Sequence, residues 1–129
     1  MTSKLSVDTI QGVSQAGSIT VQGEGTAETN LQQGLGKVWC AFNGEGTIAI
    51  RDSFNTTSIT DNGTGDYTVT YNNDFSVAGG VVVSTTGQIF TCPLNDLPAT
   101  TETRSLARNN SNANTDTQYY AILSNGDLA

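Results

Sequence analysis

The chain has 129 residues, a net charge of −7 from 12 acidic and 5 basic side chains, and no histidine. Too few cations are available to follow a phosphate backbone, so nucleic acid is not an expected partner. Without histidine, neither a Ser-His or Cys-His catalytic pair nor a His-ligated zinc can be built.

The hydrophobic share is 36% and the charged share 13%. The first figure is low for a globular monomer, and the second is too low for a highly charged disordered chain. Polar β-structure with part of its apolar surface covered by other subunits fits both. Length suits one domain preceded by an arm, divided as residues 1–35 and 36–129.

Residues 1–33 make a poor core. Leu5 and Val7 have the spacing of a short strand, Ile10 follows, and residues 18–22 alternate with Ile19 and Val21 on one face. This predicts an extended arm with two short strands. Alone it buries too little apolar area to offset the entropy of ordering it, so it should order against a partner. Residues 26–33 suit one helical turn or a loop, with Thr26 and Thr29 as candidate caps and Gly34 as the stop.

From residue 36 the pattern becomes that of strands. Val38, Cys40 and Phe42 alternate with Trp39 and Ala41. Residues 47–51 place Ile48 and Ile50 on one face. Tyr67, Val69 and Tyr71 alternate with Thr68 and Thr70. Asn43-Gly44-Glu45-Gly46 closes a hairpin, and the Asn-Gly-rich run 61–66 leads into the next strand. Between them, residues 52–60 read as a loop followed by a short strand at 57–60. Trp39 and Phe42 are large and lie on opposite faces of one strand, which predicts a sheet packed against its own chain on one side and against another subunit on the other. The alternative for Trp39 is a ligand-stacking side chain.

The stretch Trp39 to Phe75 resembles the terminal β-domain of bacteriophage tail-fibre proteins. The resemblance rests on Trp39, Phe42 to Gly44, Gly46, Thr47, Ile50 and Arg51, then Ser53 to Asn55 and Ile59 to Val69. Lys4 to Ile10 resembles, more briefly, the opening of small phage fibre proteins. The resemblance implies a virion structural protein, a homotrimer, with other tail or virion proteins as partners. It implies no reaction. On it, Leu5, Val7 and Ile10 become candidates for anchoring the arm to the virion.

Residues 72–80 read as a turn region holding Phe75 and Val77. Val81-Val82-Val83 reads as a strand buried on both sides, and residues 88–92 as its antiparallel partner. Pro93 and Pro98 bracket Leu94 and Leu97 in an edge or loop, since proline donates nothing to a ladder. Residues 103–107 predict a strand with Arg104 outward and Leu106 on its face. Residues 109–117 form an Asn-rich loop. Asn109, Asn110, Asn112 and Asn114 carry amides that both donate and accept, so they suit a host-surface glycan as well as water. Residues 118–124 alternate as the last strand, with Tyr120 and Ile122 opposing Tyr119, Ala121 and Leu123. Residues 125–129 read as a tail.

Other motifs carry little. Asp61 to Asp66 holds two carboxylates and a side-chain carbonyl, but calcium takes about six to eight oxygens, so a plain turn is the reading and no metal or cofactor is expected. The adjacent Arg51-Asp52 pair is placed to meet Asp61 or Asp66. Cys40 and Cys92 are too few for a zinc cage. A buried free thiol at Cys40 fits its place on the core face, and a Cys40–Cys92 bridge is disfavoured in a cytosolic assembly. The two turn carboxylates offer no paired glycosidase arrangement, so catalysis is not expected. The start has no basic-then-apolar leader, and no apolar run nears about 18 residues, so neither export nor membrane insertion is expected.

These readings converge on an all-β antiparallel sandwich or small barrel with an extended N-terminal arm. The expected product is a homotrimeric phage tail fibre, assembled in the host cytoplasm and carried on the virion tail for host attachment. Alternatives are a capsid decoration or head-fibre protein, and a carbohydrate-binding module using Trp39, Tyr67 or Tyr71.

Overall fold

A computed structural model describes residues 3–14, 18–23, 25–78, 81–86, 90–92 and 99–129, with the backbone alone at 32–33, 81–86 and 90–92. The chain divides into two compact units, Met1–Leu35 and Gly36–Ala129.

In the first unit, residues 3–14 enter no strand and their side chains are exposed. The short strand expected at Leu5 and Val7 is therefore not formed. The strand expected at 18–22 is formed, as β1 (Thr20–Gln22), which pairs antiparallel with β2 (Glu28–Asn30). A single helical turn, α1 (Leu31–Gly34), follows. Thr29 lies inside a strand, so neither it nor Thr26 caps this turn, although Gly34 does end it.

The second unit is an antiparallel sandwich of two four-stranded sheets. Its strands are β3 (Val38–Asn43), β4 (Ala49–Phe54), β5 (Thr56–Gly63), β6 (Asp66–Tyr71), β7 (Val81–Thr86), β8 (Phe90–Cys92), β9 (Glu102–Arg108) and β10 (Tyr120–Asn125). The first sheet runs β4-β3-β10-β7 and the second β5-β6-β9-β8. No helix among the described residues is long and apolar enough to cross a membrane.

The strand expected at residues 57–60 is formed, but the loop expected before it is not. β4 runs on to Phe54, and β5 starts at Thr56 in the other sheet. Asn55 alone makes the corner, at φ 55°. Its amide oxygen accepts from the Asn73 backbone N–H at 2.6 Å, and its amide nitrogen donates to the Asn73 carbonyl at 3.1 Å. Asparagine tolerates the left-handed region better than most residues, so one residue switches the sheets.

β7 and β8 also differ from expectation. They are not partners: β7 pairs with β10, and β8 with β9. The expected burial of Val81 to Val83 and the Pro93–Pro98 segment lie outside the described residues. The tail is not loose. Phe75 bridges Leu128, and the Ser76 and Ala129 N–H groups donate to Asp127 and Asp74 carbonyls.

Both sheets feed one core. Cys40 and Phe42 come from β3, Tyr120 and Ile122 from β10, Tyr67 and Val69 from β6, and Ala107 from β9. Phe42, Tyr67 and Tyr120 form an aromatic triad with centroids 5.0–5.3 Å apart, edge-on except for the stacked Phe42–Tyr120 pair. Such pairs add about 0.5–1.5 kcal/mol beyond the area they bury. A second cluster joins Val38, Tyr71 and Phe75, with Leu128 packed on it.

Candidate functional site

One end of the sandwich gathers the β3–β4 turn, the β5–β6 turn and the loop between β9 and β10. The Thr117 carbonyl accepts from the Gly44 N–H at 2.9 Å, and the Ala107 N–H donates to the Gly65 carbonyl at 2.7 Å. Asp116 is the knot. Its Oδ1 accepts from the Gly65 N–H at 2.7 Å and from the Tyr67 hydroxyl at 3.2 Å. The same hydroxyl reaches the Gly44 carbonyl at 2.9 Å. Burial, then the Asp116 charge, push the Tyr67 hydroxyl above its usual range, so it remains a proton donor.

Two glycines are required by this closeness. A Cβ on Gly44 would lie 2.5 Å from the Tyr67 hydroxyl oxygen. A Cβ on Gly65, which has φ +63°, would lie 2.6 Å from the Ala107 carbonyl oxygen and from Thr115 backbone atoms. The Asn-Gly and Thr-Gly turns are thus shaped for the third loop as well as for their own hairpins.

The Asn-rich loop is built rather than loose. The Asn109 Oδ1 accepts from the Ser111 and Ala113 N–H groups at 3.0 and 3.1 Å. The Asn112 Oδ1 accepts from Arg108 at 3.2 Å, with its backbone at φ 60°. The side-chain oxygens of Asn109 and Asn112 therefore hold the loop, and Asn110, Asn112 and Asn114 are all exposed.

Asp61 and Asp66 take separate parts. The Asp61 Oδ1 accepts from the Gly63 N–H at 2.9 Å, as an Asx turn does. Asp66 forms a two-point pair with Arg104, Nε to Oδ1 at 2.8 Å and Nη2 to Oδ2 at 2.6 Å. The hydrogen bond from Arg104 holds the Asp66 carboxyl below its ordinary range. Arg104, not the expected Arg51, is its cation. Arg51 instead lies over the Tyr119 ring, 4.3 Å from the centroid. Among the described residues, no three His, Cys, Asp or Glu side chains come together as metal ligands would.

The remaining predicted residues separate clearly. Leu5, Val7 and Ile10 are 81%, 54% and 57% exposed. Trp39 is exposed on the outer face of the first sheet, and Phe42 is fully buried in its own core. Phe42 therefore cannot pack against another subunit, because its side chain is wholly enclosed within one chain, stacked on Tyr120 and edge-to-face with Tyr67. Tyr67 and Tyr71 are buried too, so they offer no platform to a sugar. Cys40 is a buried free thiol whose pKa burial raises to about 11.

Asp116, Gly65 and Arg104 were not singled out for these roles from sequence. Asp116 lies 49 residues from Tyr67 in the chain, so spacing carries no sign of their bond. Comparison with protein-family models, with curated proteins and with solved structures finds no match to this chain.

Proposed function

We propose that the chain is a structural virion protein of a bacteriophage, a tail fibre or fibre-like component. Its first unit attaches to other tail or virion proteins, and its β-sandwich, as a homotrimer, faces the host. The observation that carries this reading is the exposed series Leu5, Val7 and Ile10 in a segment without sheet pairing. Apolar side chains left in water along an unpaired segment favour an external partner that would order it. The hairpin pair that resembles fibre domains supports the reading. The exposed amides of Asn110 and Asn114, on a loop braced by its own hydrogen bonds, give a host glycan donors and acceptors to meet.

The test is gold labelling of intact particles with an antibody against this chain. Label on the tail or its fibres is expected. Label spread over the head would replace this reading with a decoration protein, and unlabelled particles would overturn a virion role. In the same particles, a Leu5→Asp/Ile10→Asp chain should lose most of its label. Full labelling by that variant would overturn anchoring through these residues. Adsorption unchanged by Asn110→Ala/Asn114→Ala would overturn the host-contact role of the loop.

A further inference from the structure

Asparagine followed by glycine occurs at Asn43-Gly44, Asn62-Gly63 and Asn125-Gly126. Glycine has no Cβ, so its backbone nitrogen can close on the side-chain amide carbon of the residue before it. The fold treats the three pairs differently. The Gly44 N–H donates to the Thr117 carbonyl at 2.9 Å, and Gly44 is packed against the Tyr67 hydroxyl. The Asn43 amide is also held, donating to the Glu45 carbonyl at 2.8 Å. Asn125 is a ladder residue of β10, opposite Val81 of β7. Asn62 alone of the three is exposed, and the β5–β6 register steps over it, from Asp61 opposite Tyr67 to Gly63 opposite Asp66. The space where a Gly63 Cβ would lie is open.

The groups that would move protons at this turn are already in hydrogen-bond contact. The Gly63 N–H donates to the Asp61 Oδ1 at 2.9 Å, where a base must sit to take the proton of an attacking nitrogen. The Asn62 Nδ2, the nitrogen that would leave, donates to the Thr68 Oγ1 at 2.8 Å and to the Asp66 Oδ1 at 3.3 Å. Thr68 is buried, and its hydroxyl can turn from accepting to donating.

We propose that residues 61–68 form a self-deamidating turn, with Asn62 as the modification site and water as the co-reactant. The Gly63 nitrogen bonds to the Asn62 Cγ while Asp61 takes its proton. The Cγ–Nδ2 bond breaks, Thr68 supplies a proton, and the nitrogen leaves as ammonia. The proton on Asp61 returns to Thr68 through solvent. Water then opens the cyclic imide at either carbonyl, leaving an aspartate or an isoaspartate at position 62. The product carries one negative charge more than the native −7, placed between Asp61 and Asp66. It also lacks the amide that donates to Asp66 and Thr68. Isoaspartate further lengthens the backbone close to Gly65, whose N–H is held by Asp116. The turn thus passes irreversibly from a braced state to a looser one at the end of the sandwich where the three loops gather.

The test is to keep the full chain in neutral buffer, digest it at intervals and follow the amide-to-acid mass gain at each asparagine. Asn62 is expected to convert at least about tenfold faster than Asn43 or Asn125. In urea the three rates should converge, since each asparagine precedes a glycine. Asp61→Asn keeps an oxygen that accepts from Gly63 but removes the base, and should slow Asn62 at least about tenfold with circular dichroism unchanged. Thr68→Val should slow it as well. If these two side chains only brace the turn, the same variants would loosen it and speed the reaction. Equal rates in the folded chain would overturn the proposal, as would a lead of Asn62 that survives urea. Conversion of Asn62 that is unchanged or faster in Asp61→Asn would overturn it too.

Discussion

β3 and β9 each turn three side chains into the same sandwich and do so with opposite chemistry. β3 supplies Val38, Cys40 and Phe42, all at most 1% exposed. β9 supplies Thr103, Ser105 and Ala107, equally buried. The hydroxyls of β9 are not stranded there. The Tyr120 hydroxyl donates across the sandwich to Ser105 Oγ at 2.9 Å, and Tyr71 and Thr103 hydroxyls bond within the second sheet. Tyrosines from other strands thus supply the apolar volume that β9 lacks, and their polar tips satisfy its hydroxyls. A core strand need not be apolar if its neighbours bring long rings ending in a hydrogen-bonding group.

The largest test of the contrast is Phe42→Ala. Phe42 touches both Tyr67 and Tyr120, so its loss leaves a void under two rings. Urea unfolding should show a loss of about 3–5 kcal/mol. A loss under about 1 kcal/mol would mean that the aromatic triad collapses without cost and does not anchor the core.

A smaller effect should come from the polar side. Tyr120→Phe leaves the buried Ser105 hydroxyl without that donor, and Ser105→Ala leaves the tyrosine hydroxyl without that acceptor. Each should cost about 1–2 kcal/mol. The double variant should cost clearly less than the two together, because it removes the bond without stranding either partner. Strict additivity in the cycle would mean that β9 is held by packing alone, and the contrast with β3 would fail.

The same contrast explains what was legible in the sequence. β3, β6 and β10 announce themselves because apolar and polar residues alternate along them, and Asn-Gly marks the turn beside β3. β9 is legible as a strand, but Leu106 lies on the face of Arg104, opposite the Thr103–Ser105–Ala107 side that enters the core. Hydropathy alternation cannot rank a Thr-Ser-Ala face as the buried one when the stabilising tyrosines lie on β6 and β10. The sheet switch at Asn55 was hidden for a related reason. A single asparagine among Thr and Ser looks like loop, and only its bonds to Asn73 make it a corner. The partners of β7 and β8 are not legible because a Thr-Gly turn favours a hairpin, and nothing local reveals that the two strands enter different sheets. In the candidate site, exposure of Trp39 could be read from alternation, but Asp116 could not, because its partners Gly65 and Tyr67 come from another hairpin.

The outward side of β9 gives the mildest test, and its sign is fixed by Asp66. Arg104 reaches from β9 to Asp66 on β6, with the carboxylate side chain 11% exposed and the cation 39% exposed. Half-open pairs of this kind are screened, so Asp66→Asn should cost about 1 kcal/mol near neutral pH. The folded-state pKa of Asp66 lies below its ordinary 3.8. A depressed carboxyl stabilises the fold fully above its unfolded value and loses that contribution as pH falls through the folded one. The gap between wild type and Asp66→Asn should therefore hold steady from neutral pH down to about 5, then close in stronger acid. A gap that widens on acidification would mean that the Asp66–Arg104 pair does not hold β6 to β9, and that their ladder and the hydroxyl-lined core face suffice.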